Sequence, residues 1–202
     1  RLVCGVAYNA VAIDPANFSN RASITNTSPR PPTRVWRFGG KLVIWAQDTH
    51  LYYCDYNGSN LTLISSTTRS VGISQNKLFY TIQSGTSTSG SNLYVIDPSS
   101  SWTGSQQGST LDDAGSNSNV RYEICASRGD SNVFLVKNDS GKILHLNDSS
   151  PASRTDRGSN TIFSNSKFYK MPVSNGKLWC GFGTDLYLSL IHISEPTRQA
   201  EI

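Results

Sequence analysis

Apolar residues in this chain arrive in short bursts such as LVIWA, LYYC, LFYTI, NLYVI and VFLV, each bounded by polar residues and turn formers. No stretch of ten or more residues sustains an apolar i, i+3, i+4, i+7 pattern, so amphipathic helices are not expected. Bursts of this length, rich in aromatic and β-branched residues, predict β-strands. Asn57-Gly58 and Asn175-Gly176 are strong hairpin signals, because Asn and Gly tolerate positive φ. Ser140-Gly141 and Arg128-Gly129-Asp130 are further turn signals. The polar segments 84–92 and 99–119 and the Arg30-Pro31-Pro32 step read as hairpin tips or connections.

The bursts repeat in pairs. Five segments begin with an apolar strand, often after a basic residue, turn, and return in a second strand that often ends near Asp. They start at Arg1, Lys41, Lys77, Arg121 and Lys177, separated by 40, 36, 44 and 56 residues. A lone hairpin of this kind cannot cover its own apolar side chains, but stacked copies cover one another. A strand–turn–strand period of roughly 40–50 residues is the period of a four-stranded propeller blade. The expected fold is therefore all-β, an incomplete β-propeller over residues 1–187 with about four blades plus one hairpin of a fifth. A β-sandwich is the rival. An arc opened at both ends would expose strand edges and is expected to be poorly soluble alone.

Composition supports strands and turns. Charged residues are 16% of the chain, and Glu occurs only at positions 123, 195 and 201. The net charge of +4 comes from scattered basic residues, with a loose group at Arg30, Arg34 and Arg37. Without a clustered basic face, nucleic acid is not an expected partner. No apolar run approaches the length of a membrane span. Cys4, Cys54, Cys125 and Cys180 lie apart on strand-like runs with no zinc spacing, so buried thiols are expected, with a disulfide left open.

Three resemblances bear on identity. Leu188 to Ile202, LSLIHISEPTRQAEI, resembles a translated sequencing adapter, and residues 188–202 are expected not to be native protein. With Arg1 in place of Met at the start, the expectation is a fragment of a longer protein. LYYCDYNGSNLTLIS, KLFYT and SNLYVID, within 41–99, resemble the YWTD-type repeats of low-density-lipoprotein-receptor propellers, with Phe79-Tyr80-Thr81 at the YWT position. Trp102, RYEICAS, NVFLVK and NDSGKIL, within 102–146, resemble the fungal fucose-lectin propeller. That family's sugar sites combine an Arg, an acidic or amide side chain and an aromatic platform between blades. The resemblance thus implies Trp102, Arg121 and Glu123 as ligand-binding candidates.

Each candidate has a plainer reading. Alternation along RYEICAS would point Tyr122 and Ile124 inward and leave Arg121 and Glu123 on a solvated face. Trp36, Trp45, Trp102 and Trp179 could all be packing residues, Trp102 being in the most polar setting. Arg128-Gly129-Asp130 spells an integrin-type tripeptide at an expected hairpin tip, and is also ordinary turn composition. Asp139-x-Gly141 resembles a degenerate sialidase-type turn without catalytic meaning. Asn17, Asn26, Asn57, Asn60, Asn138 and Asn147 begin N-x-Ser/Thr sequons, which favour an extracellular or extracytoplasmic location. No phosphate-binding loop, nucleophile elbow, metal-ligand cluster or cofactor motif is present, and His50 and His145 are isolated. The expected function is a non-catalytic module binding a glycan or protein, with no cofactor. The alternatives are a truncated propeller enzyme, glycosidase or quinoprotein-like, and a purely structural scaffold.

Overall fold

The computed structural model describes residues 2–6, 9–14, 17–25, 32–46, 49–83, 90–112, 120–159, 171–182 and 185–188. Residues 189–202, most of the adapter-like stretch, lie outside them. The described residues form five antiparallel sheets and no helix. The first sheet is β1 (Leu2–Val6), β2 (Asn9–Asp14) and β3 (Asn17–Thr25). The second is β4 (Pro32–Phe38), β5 (Lys41–Ala46), β6 (His50–Cys54) and β7 (Thr62–Ser65). The third is β8 (Thr68–Ile73), β9 (Leu78–Gln83), β10 (Ser91–Ile96) and β11 (Ser105–Gln106). The fourth is β12 (Tyr122–Ala126), β13 (Asn132–Lys137), β14 (Lys142–Asn147) and β15 (Thr155–Ser159). The fifth is β16 (Val173–Ser174), β17 (Lys177–Phe182) and β18 (Asp185–Leu188). Each sheet is a meander whose spatial order follows the chain. Three four-stranded blades flanked by two three-stranded sheets make an incomplete β-propeller, as the repeat predicts.

The apolar bursts without alternation have a direct cause: the second strand of a blade is covered on both faces. In β5, Val43 and Trp45 join Val71, Ile73, Leu78 and Tyr80 of the third sheet. Leu42, Ile44 and Ala46 form a separate core on the opposite face. In β9, Leu78 and Tyr80 face the second sheet, while Phe79 packs with Tyr122, Ile124, Val133 and Leu135 of the fourth. In β13, Phe134 and Val136 turn the other way, to Met171, Val173 and Leu178. Each large apolar side chain buried in this way stabilises the fold by about 1.5–3 kcal/mol. The outermost strands β11 and β15 are short, polar and wholly exposed.

Register explains the basic start and Asp end of the repeat. Leu42 pairs with Cys54, which sets Lys41 opposite Asp55, and the two form an ion pair. Leu78 pairs with Ile96, and Lys77 meets Asp97 at 3.8 Å. Lys41 and Lys177 begin second strands, and Lys77 immediately precedes one. Arg121 precedes β12, the first strand of its sheet, so its segment is offset by one strand from those three. In the fourth sheet Asn132 pairs with Asn147, so Asp148 takes the Asp place and Ser131 the basic place. Without a cation opposite, Asp148 turns inward. It accepts the Ser74 hydroxyl at 2.9 Å and the Asn76 backbone N–H at 3.2 Å from the preceding blade.

The first strands β8 and β12 run side by side with Gly72 between them. A Cβ on Gly72 would stand 2.5 Å from Cγ2 of Ile124 and 3.3 Å from Cβ of Ala126. Gly72→Ala is therefore expected to overpack this junction and lower stability by about 1–3 kcal/mol. Gly129→Ala, where a Cβ meets nothing within 4 Å, is the control and should change stability by less than about 0.5 kcal/mol. Urea midpoints of the two variants decide the matter, and equal midpoints would refute the close-approach argument.

Candidate functional site

The three residues suggested from sequence fall in two places. Trp102 follows β10 and reaches back onto the second sheet. Its ring meets Phe38 edge-on at 6.5 Å and lies tilted against Tyr53 at 4.7 Å. It is half-buried between blades and not freely exposed. Arg121 and Glu123 lie together at the junction of the third and fourth sheets. Glu123 is 8% exposed, pairs with Arg121, and accepts the Ser70 hydroxyl of β8 at 3.0 Å. Ser70 in turn accepts the Ile124 backbone N–H at 2.9 Å. The expected solvated face of RYEICAS is thus not found at Glu123. A first strand flanked by the neighbouring blade's first strand has no solvent side there, and residues 122 to 125 are all buried.

Among the described residues, two clefts are wide enough to take a ligand. One, of about 190 Å³, lies between the second blade and the segment after β10; Tyr53, Thr62, Leu63, Trp102 and Thr103 line it. Leu63 on its rim is 50% exposed. The other, of about 210 Å³, lies among the first strands. Arg34 and Trp36 of β4, Gly72 of β8, Ile124 of β12, Arg128 after β12 and Met171 before β16 line it. Sequence reasoning missed this second cleft, because its lining comes from four segments far apart in the chain. Neither cleft has an Asp, Glu, His or Cys among its described lining residues.

The tripeptide at Arg128-Gly129-Asp130 does not present a free carboxylate. Asp130 is 7% exposed. One carboxylate oxygen accepts Gly176 N–H of the fifth sheet at 2.6 Å; the other accepts the backbone and side-chain N–H groups of Asn132 at 2.9 and 2.8 Å. Its carbonyl accepts Gln75 N–H of the third sheet at 3.0 Å. Burial works against the charge, but the donated N–H groups outweigh it and hold the carboxyl below its ordinary value. Asp130 thus ties three successive sheets together. The Asp139-x-Gly141 segment is a turn, with Gly141 at φ 65° donating its N–H to the Lys137 carbonyl at 2.9 Å.

His145 stacks on Phe134 at 4.8 Å and bonds Asn132 at 2.8 Å; His50 stacks on Tyr52 at 6.1 Å and bonds Thr49 at 2.9 Å. Cys54 and Cys125 are both buried, and burial pushes the Cys54 thiol up to about 11. The side chains of Cys4 and Cys180 lie outside the described residues, so their pairing stays open. Of the sequons, Asn57 and Asn60 are exposed on the turn after β6, while Asn138 and Asn147 are half-buried; Asn26 and the Asn17 side chain lie outside the described residues. No group of three or more His, Cys, Asp or Glu suited to a metal occurs among the described residues.

No family model matches this chain, and no curated protein matches it in sequence. Solved structures do match in shape. A chain of the nidogen/laminin complex aligns with TM-score 0.53 and 9% identity over 87% of this chain and 68% of that one. The complex of KlAtg21 with the coiled coil of AgAtg16 aligns with TM-score 0.52 and 12% identity, over 90% and 63%. Apo AztD from Citrobacter koseri aligns with TM-score 0.51 and 15% identity, over 76% and 42%. The shared fold is the β-propeller. At these identities the likeness concerns fold alone, and the chain spans between 42% and 68% of the length of these three structures.

Proposed function

We propose that this chain is a non-catalytic binding module that takes a glycan in the cleft beside Trp102. The observation that carries this reading is the pair of rings at 4.7 Å, Tyr53 and Trp102, set in a cleft lined by the hydroxyl-bearing Thr62 and Thr103. Aromatic faces accept the C–H side of a sugar ring, and flanking hydroxyls accept or donate to its polar edge. The exposed Asn57 and Asn60 sequons support an extracellular setting. Among the described residues no helix is long and apolar enough to cross a membrane.

An array of immobilised oligosaccharides tests the reading. The chain should bind at least one glycan class, and Trp102→Ala should weaken that binding by about tenfold, equivalent to 1.4 kcal/mol. Circular dichroism must first show the variant folded, since Trp102 also touches Phe38. A silent array, or a folded Trp102→Ala that binds as before, refutes the glycan reading. A protein ligand is the second reading, favoured by Leu63 exposed on the cleft rim. Propellers of this fold have been solved as nidogen with laminin, KlAtg21 with a coiled coil and YCF48 with D1 peptide.

A further inference from the structure

The cleft among the first strands has a composition that the Trp102 site does not share. It carries two guanidinium groups, Arg34 and Arg128, and no carboxylate is among its described lining residues. Several basic side chains elsewhere in the described structure find acceptors, and Arg37 lies over the Tyr56 ring. Lys41 pairs with Asp55, Lys142 with Asp112 and Asp156, Arg121 with Glu123, and Arg154 reaches the carbonyls of Ser109 and Gln107. Among the described residues Arg34 and Arg128 have neither hydrogen bond nor ion pair. Both are exposed, while the floor between them is apolar, with Ile124 and Met171 buried and Trp36 half-buried.

We propose that this cleft binds an acidic peptide segment, with Arg34 and Arg128 each taking a carboxylate and Trp36 and Met171 receiving an apolar side chain between them. A guanidinium presents a planar fork that matches a carboxylate bidentately, and such charge-assisted bonds are the stronger kind. Two forks on separate segments call for two carboxylates rather than one small ion. The apolar floor calls for a side chain that inorganic anions lack. A volume of about 210 Å³ accommodates a few side chains and not a folded domain. This site is independent of the Trp102 cleft, so either can fail without the other.

The test is selection of random twelve-residue peptides displayed on phage against the whole chain, followed by binding of recovered synthetic peptides measured by fluorescence polarisation. Recovered peptides should be enriched in Asp and Glu. Arg34→Ala and Arg128→Ala should each weaken their binding about tenfold, and Gln-for-Glu peptides should lose a similar factor. Raising salt from 0.05 to 0.5 M should weaken binding further. Because neither guanidinium has a partner among the described residues, both variants should melt as the parent does, which separates loss of binding from loss of fold. The proposal is overturned if no peptide is recovered, if recovered peptides lack acidic enrichment, or if they bind the variants as tightly as the parent. Displacement of bound peptide by a few millimolar inorganic phosphate would also overturn it, by showing a small-anion site.

Discussion

Asp130→Asn is expected to destabilise the chain by about 2–4 kcal/mol. The carboxylate accepts at both oxygens, from Gly176 on one side and Asn132 on the other, in a place 7% exposed. An amide keeps one acceptor and turns an N–H₂ donor toward a backbone N–H, so at least one buried donor loses its partner. Leaving such groups unsatisfied costs about 1–3 kcal/mol each, more beside a charge. The same geometry sets a pH dependence. A carboxyl held below its unfolded value, near 3.9, contributes stability above that value and loses it as pH falls through the folded one. Urea midpoints should therefore separate parent and Asp130→Asn widely at pH 7. They should converge as pH drops below about 4. A constant gap down to pH 3 would show that the charge of Asp130 is not what matters.

The second large effect is expected at Glu123. Glu123→Ala removes the acceptor of the Ser70 hydroxyl and the partner of Arg121 at a buried junction. The expected cost is about 2–3 kcal/mol. Glu123→Gln keeps an oxygen for Ser70 and gives up only the ion pair, whose Arg121 side chain is 43% exposed, so about 1 kcal/mol is expected. A double-mutant cycle with Ser70→Ala isolates the shared bond and should return a coupling of about 1 kcal/mol. If Glu123→Ala were neutral in stability yet abolished ligand binding, Glu123 would be a binding residue after all, as the fucose-lectin resemblance implies.

These residues mark where the sequence is informative about the fold and where it is silent. Strands and turns were legible because Asn57-Gly58 and Asn175-Gly176 and the short apolar bursts encode them locally. Asn175 adopts φ 53° with Gly176 at 71°, whereas after β6 the chain makes a longer turn in which Gly58 at 89° and Asn60 at 55°, not Asn57, take the positive φ. The basic start and Asp end of the repeat were legible, since Lys41–Asp55 and Lys77–Asp97 are cross-strand neighbours. The one-strand offset at Arg121 was not. RYEICAS carries the same basic start and apolar run as a second strand, and only its neighbours distinguish it. Alternation failed at Glu123 because it assumes one wet face, whereas β12 lies against β8. Asp130 looked like a turn residue, and its ties to other sheets, like those of Asp148, depend on stacking that no local pattern encodes. An Asp two residues before Asn132 does signal a local turn, but it says nothing of Gly176.

The double-sided burial of the second strands has a mechanical consequence. Because Phe79 belongs to one core and Leu78 and Tyr80 to another, the third sheet shares its interior with both neighbours. Stability then resides in the contacts between successive units, as in other linear repeat arrays. Pulled from its ends, such a chain should give way one sheet at a time. Each event would also strip a face from the next sheet and lower the force of the following event. A force–extension record would show descending peaks, with the largest drop on losing the sheet that Asp130 fastens to its neighbours.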